Sequence, residues 1–243
     1  MRWAIAAAAS GIVALVHTLP APFLLDAMTG GRGVWHMPRT PPPTIYLTYD
    51  DGPNPSTTPD LLDALARERV PATFFLIDEH LTDETASIIR RMFMDGHAVA
   101  LHSGNRWELL RSSTSMARLL STHADHIESL AGMRPCRAFR PHGGWRSYSM
   151  YKGLSKIDYR LIGWGWMLWD VDPLHTHTAD RIVHRIAPRV RGGDIIVMHD
   201  GNHAAPRAPR PQTVEATSRL IPLLRDRGFA FGTVCETSIH SRS

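Results

Sequence analysis

The chain has 243 residues, enough for one large domain or two small ones around a proper core. Apolar residues make up 43% and charged residues 21%, which excludes an intrinsically disordered chain. The net charge is +4 and the pI about 9.4. All the basic residues except Lys152 and Lys156 are arginines, scattered along the chain rather than gathered into the stripe that nucleic-acid binding needs.

Residues 1–22 carry Arg2 and then an apolar run from Trp3 to Val16. That run has the length of a signal-peptide core and falls short of the roughly 20 residues a spanning helix needs. No small-x-small cleavage site follows, so a cleaved signal peptide and an uncleaved membrane anchor both stand open. Either implies export to the cell envelope or beyond. Residues 23–43 read as a Pro/Gly-rich linker, and the folded domain is expected over 44–243. Cys136 and Cys235 are able to pair in an oxidising compartment, and the absence of a CxxC argues against a thiolate metal site.

From residue 44 onward, short apolar runs alternate with amphipathic ones. Strands are predicted at 45–49, 72–77, 98–101, 138–140, 162–169, 194–198 and 229–234. Most are apolar at consecutive positions, as in parallel strands covered on both faces. Thr58-Pro59-Asp60 predicts a helix start with Thr58 as the cap, ending before Pro71. A second helix is predicted from Thr82 to Gly96, and further ones over 115–131, 178–190 and 213–227. Such alternation implies a parallel sheet with right-handed crossovers. About seven units fit a distorted β/α barrel, with an open doubly wound sheet as the alternative. In either, chemistry belongs just beyond the C-terminal ends of the strands.

The polar residues gather there. Asp50-Asp51-Gly52-Pro53 follows the first run, His102 the third, and Pro141-His142-Gly143-Gly144-Trp145 the fourth. Asp170 and Asp172 follow the tryptophan-rich run, and His199-Asp200-Gly201 the sixth. Two adjacent carboxylates repel in a low-dielectric site unless a cation or a proton separates their roles. One as metal ligand and the other as base is the economical solution. A histidine at a strand end suits a metal ligand or a general acid. For Trp145, Trp164, Trp166 and Trp169 two roles stand open, stacking on sugar rings or packing inside the barrel. Glycoside hydrolysis by paired carboxylates wants a separation of at least about 5 Å, which adjacent Asp50 and Asp51 do not demand.

In order and spacing, TYDDGP (48–53), GHAVALHS (96–103), FRPHGG (139–144), WDVDP (169–173) and IIVMHDG (195–201) resemble the five motifs of the polysaccharide deacetylase family. These are the NodB-homology domains, or family-four carbohydrate esterases. The resemblance runs from about residue 44 to 235 and implies a distorted seven-stranded (β/α) barrel of the polysaccharide deacetylase type. It also implies a metal-dependent hydrolase that removes N-acetyl or O-acetyl groups from a cell-wall or chitin-like polysaccharide, with zinc the expected divalent ion. By motif position, Asp50 corresponds to the catalytic base, Arg140 to the arginine that orients it, and His199 to the general acid. Asp172 corresponds to the acid that tunes this histidine. Asp51 and His102 correspond to metal ligands, Gly143 to the oxyanion-hole backbone and Val197 to the acetyl-pocket wall, while Trp145, beside that motif, is a candidate substrate contact by its own aromatic character.

The second motif departs from the family pattern. The position of its second imidazole is Arg106, whose guanidinium has no lone pair to give a metal. Two further departures are His142 and Gly143, where the family has a proline and an aromatic, and His175-Thr176, where it has an acid and a tryptophan. Three readings of Arg106 follow. A metal is retained through Asp51, His102 and a substitute such as His142, Asn105 or water. Alternatively the guanidinium stands in for the metal beside Asp51, or the site is a metal-free carbohydrate binder with impaired catalysis.

Overall fold

A computed structural model of the chain describes residues 33–39, 41–165, 170 and 178–235. The expected leader and much of the linker, together with Trp166, Trp169, Asp172, His175 and Thr176, lie outside the described residues. In chain order the strands are β1 (Gly33–Val34), β2 (Thr44–Gly52), β3 (Thr73–Ile77), β4 (Ala98–His102), β5 (Ala138–Arg140), β6 (Arg160–Ile162), β7 (Ile195–His199) and β8 (Ala230–Phe231).

All strand pairings are parallel, in the order β1-β6-β5-β4-β3-β2-β7, with β8 paired to the start of β2 off that path. The two ends of the path curl toward each other. Gly165 N–H donates to the carbonyl of Ile195 (3.3 Å), and Asp170 N–H to that of Val197 (3.0 Å). The result is a curled, distorted β/α barrel, as expected from the alternation.

Alternation along each strand sorts side chains into two layers. Ile45, Leu47 and Tyr49 of β2, with Phe74 and Leu76 of β3, join the larger hydrophobic cluster, which the helices cover. Tyr46 and Phe75 belong to a smaller cluster with Ala100, Ala138, Ile162 and Ile195, inside the curl. Thr48 and Asp50 follow Tyr46 on that inner side, where Arg140 meets them. An apolar strand therefore delivers polar groups to one rim.

The helices are α1 (Thr58–Glu68), α2 (Ala86–Met94), α3 (Ser113–Ala131), α4 (Tyr148–Lys156), α5 (Ala179–Ile186) and α6 (Pro211–Asp226). The cap of α1 is Thr57, not Thr58, and Pro59 remains in its first turn. Here Thr58 is helical because its hydroxyl is used on Asp200 (2.5 Å) rather than on the helix end. Helix α4 was not among the predicted elements; Ser147 caps it by accepting from Met150 N–H (3.2 Å).

Two strands differ from the predictions. β1 comes from within the stretch expected as linker and pairs with β6, because Val34 and Met37 are buried in the inner cluster. The predicted 162–169 strand is seen only at its start, since β6 spans Arg160–Ile162.

Cys136 and Cys235 form a disulfide across 99 positions of sequence, tying the approach to β5 to the segment after β8. In the chain-entropy account, a loop of this size contributes about 4–5 kcal/mol by restricting the unfolded chain. Reduction, or Cys235→Ser, is expected to lower the unfolding free energy by roughly 3–5 kcal/mol in urea titrations. An unchanged midpoint would show that the crosslink does not stabilise the fold.

Candidate active site

Parallel register sets the site. Asp50 lies beside His199 in the β2–β7 pair, and His102 lies beside Arg140 in the β4–β5 pair. A register shift between Asp50 and Gly52, with Asp51 at φ 68°, breaks the strand's alternation. Both carboxylates consequently face one cavity instead of opposite sides of the sheet. Gly201 is required opposite this bulge. A Cβ there would meet the Asp51 carbonyl at 1.9 Å.

The cavity has a volume of about 450 Å³. Asp50, Asp51, His102, His142, Gly143, Val197 and His199 line it, joined by Trp164, Asn202, His203 and Arg210. Arg140 sits behind Asp50, fully buried, and donates to Asp50 Oδ1 at 2.6 Å. The same guanidinium donates to Thr48 Oγ1 (2.8 Å) and to the carbonyls of Ile162 and Gly163 (3.2 Å each), and lies 4.0 Å over the Phe75 ring. So many contacts fix Asp50 in one rotamer.

On the other side, His199 Nδ1 lies 2.6 Å from Asp170 Oδ1, and the His199 backbone N–H donates to Asp170 Oδ2 at 2.8 Å. Burial alone would push the imidazole down. The carboxylates of Asp170, then Asp51 and Asp50, outweigh it and raise the His199 pKa to about 9. At neutral pH this histidine holds a proton to give. Its acidic partner is Asp170, two residues before the Asp172 expected from the motif, and Asp172 is outside the described residues. The Asp170–Val197 backbone bond places residue 170 alongside β7, within reach of His199.

Between these two pairs lies a cluster of Asp51, His102 and His142, with one donor atom from each within 4.8 Å of the others. His102 Nδ1 lies 2.8 Å from the Arg140 carbonyl, which accepts its proton. That leaves Nε2 facing Asp51 Oδ1 at 3.3 Å. Burial works against ionisation of Asp51, but the His102 contact and the fields of His102, His199 and His142 hold its carboxyl well below the usual range. Burial, reinforced by His102, pulls the His142 pKa down to about 4, so its imidazole is neutral and carries a lone pair. Asp51 Oδ1 and His142 Nδ1 are both buried without a hydrogen-bond partner. A carboxylate and two imidazoles converging in this way, with Asp51 Oδ1 and His142 Nδ1 unpaired, are a donor set that suits a divalent transition metal.

Arg106 is not among these groups. It is exposed at the start of the short 3-10 turn Arg106–Leu110, with its guanidinium 5.3 Å from the Trp107 ring centroid. Asn105 caps that turn by accepting from Trp107 N–H (3.0 Å). Of the substitutes considered, His142 is the one brought to Asp51 and His102. Trp145, expected against the substrate, packs beside Gly143 (φ 58°), and Trp164 is the described tryptophan that lines the cavity. Reading the sequence named Asp170 but gave the pairing with His199 to Asp172, and it did not single out Asn202, His203 or Arg210. Two acids in WDVDP were the visible signal for the first.

The curled parallel sheet thus carries the Arg140–Asp50 pair, the Asp170–His199 pair and the Asp51–His102–His142 cluster together at its C-terminal rim. The polysaccharide deacetylase family profile matches residues 38–162. A chitooligosaccharide deacetylase of Sinorhizobium fredii (strain NBRC 101917 / NGR234) is 38% identical over 202 residues, spanning 77% of this chain and 88% of the relative. A peptidoglycan-N-acetylglucosamine deacetylase of Bacillus cereus is 29% identical, spanning 85% of this chain and 92% of the relative. Among solved structures, a family 4 acetyl xylan esterase from Clostridium thermocellum, in complex with a cobalt ion, superposes with a TM-score of 0.68. It is 31% identical, over 78% of this chain and 87% of that one. The chain belongs to the polysaccharide deacetylase family, whose members are metal-dependent.

Proposed function

We propose that this chain is a hydrolase that removes acetyl groups from an N-acetylated, chitin-like or cell-wall polysaccharide, with Asp50 as base and His199 as acid. The observation that carries this reading is the pairing of Arg140–Asp50 and Asp170–His199 across one cavity, with Asp51, His102 and His142 between them. The curated relatives, named as chitooligosaccharide and peptidoglycan deacetylases, support it.

In the reaction, Asp50 takes a proton from the attacking water as its oxygen bonds to the acetyl carbon. Charge builds on the carbonyl oxygen, and the backbone N–H of Gly143, which lines the cavity, would receive it. His199 then protonates the departing sugar nitrogen as the C–N bond breaks, giving acetate and a free amine. Val197 walls the space for the acetyl methyl. Asp51, His102 and His142 would hold the divalent ion, and zinc fits their donor set. Such an ion supplies Lewis acidity and positive charge to the acyl oxygen.

Export follows from the apolar run Trp3–Val16 and agrees with the Cys136–Cys235 disulfide. Among the described residues, no helix is long and apolar enough to cross a membrane.

Acetate release from chito-oligosaccharides, measured with and without chelator, tests the proposal. Purified protein should release acetate, lose at least about 90% of the rate on chelation and regain it with zinc or cobalt. Metal-free protein with full activity would overturn the metal assignment. Glycan binding with no acetate release from any acetylated glycan would establish the alternative, a carbohydrate-binding homologue.

A further inference from the structure

His142 is an unusual place to find a metal-type imidazole, because it is not on a strand. It opens the 3-10 turn His142–Gly144, whose next residue Gly143 has φ 58°, so sheet register does not hold its ring. His102 shows the usual solution for a ligand histidine, with one ring nitrogen bound to a backbone carbonyl and the other left for the ion. His142 lacks that support. Its backbone N–H donates to Ser103 Oγ at 2.6 Å, which ties the turn to β4, but its buried Nδ1 has no hydrogen-bond partner among the described residues.

What the ring does have is a packing partner. The imidazole of His203 stands against it edge to face, with ring centroids 4.5 Å apart and planes at 64°. His203 comes from the loop after β7. There Asn202 Oδ1 accepts from the N–H groups of Ala204 (2.9 Å) and Ala205 (3.1 Å) and holds the loop in a turn. His203 also lines the cavity, yet its nitrogens do not belong to the close cluster of Asp51, His102 and His142.

We propose that His203 is a positioning residue, which packs against the His142 ring and holds it toward Asp51 and His102 in place of the missing hydrogen bond. This rests on the reading of His142 as a ligand given above. Together the two histidines restore a third donor that position 106 no longer supplies. They come from the loops after β5 and β7, whose rims the curl of the sheet brings together, so no local spacing in the sequence marks the pair. Arg106 is thereby released from the metal site and sits exposed on Trp107.

Cobalt and zinc affinity of the full chain, measured by competition with a chromophoric chelator, tests this, with the visible spectrum of the cobalt form as a second readout. His203→Ala is expected to weaken binding about 10–100-fold, the loss typical of removing a ligand's supporting partner. His203→Phe keeps an aromatic edge without a donor nitrogen and should bind within about threefold of the parent, with the same cobalt spectrum. Arg106→Ala should leave affinity unchanged. Because His203 is exposed on a loop, thermal melts of both His203 variants should match the parent.

Parental affinity and spectrum in His203→Ala would overturn the positioning role. A loss in His203→Phe as large as in His203→Ala, with an altered cobalt spectrum, would also overturn it by making His203 itself a ligand. The underlying assignment fails separately, through an unchanged affinity in His142→Ala.

Discussion

Asp50→Asn is expected to lower kcat/KM for acetate release by about 10²–10⁴-fold, the usual contribution of a positioned base. The amide keeps the shape of the carboxylate and can still accept from Arg140, but it cannot take a proton from water. Metal binding should survive, since Asp51 rather than Asp50 faces His102 Nε2. Stability should fall as well. Arg140 is fully buried, and Asp50 is the carboxylate paired with it in the structure. Leaving a buried charge without its counter-ion typically costs about 3–5 kcal/mol. The two effects separate when rates are taken at a temperature where circular dichroism shows native protein. A folded Asp50→Asn variant with near-parental kcat/KM would remove Asp50 from the mechanism.

The second large effect concerns the acid. His199 acts in its protonated form, and the raised pKa of about 9 keeps it so through neutral pH. Asp170 is the largest of the groups raising it, against the opposing pull of burial. In Asp170→Asn, burial is less opposed and the pKa falls toward or below the ordinary value of about 6.5. The sign is therefore definite. The parent should keep its activity up to roughly pH 9 and the variant should begin to lose it near or below pH 6.5, so the gap opens on the alkaline side. At pH 8 the rate should be down by about 10²-fold or more, since the ring also loses the carboxylate that orients it. A pH–rate profile of kcat reads this directly. Asp172→Asn is the informative comparison, because the motif alone pointed to Asp172. An unmoved alkaline limb in Asp170→Asn, or an equal shift in Asp172→Asn, would reject the pairing described here.

These two residues illustrate what spacing along the chain can carry. Asp50 was legible because an uninterrupted apolar run ending in two acids has few structural uses. Asp170 was not, because WDVDP offers two acids and the choice depends on which backbone group Val197 binds. Helix α4 was missed for a related reason. Its sequence YSMYKGLSK is short and mixes polar residues with a central glycine, and it buries Met150, Tyr151 and Leu154 through packing on α3.

The barrel-type alternation and the placing of chemistry at strand ends were determined by the sequence itself. Apolar runs covered on both sides must lie parallel between helices, and parallel strands end on a common rim. The same holds for Asp50, Asp51, His102, Arg140 and His199, each of which is written directly at the end of its run. Only the tertiary structure decided how a third imidazole reaches Asp51 and His102. Residue 106 follows β4 on a 3-10 turn that carries it out to Trp107, whereas residue 142 follows β5 on a turn that carries it in. The direction of each turn depends on hydrogen bonds between loops, such as His142 N–H to Ser103 Oγ, and those partners become neighbours only when the sheet has curled.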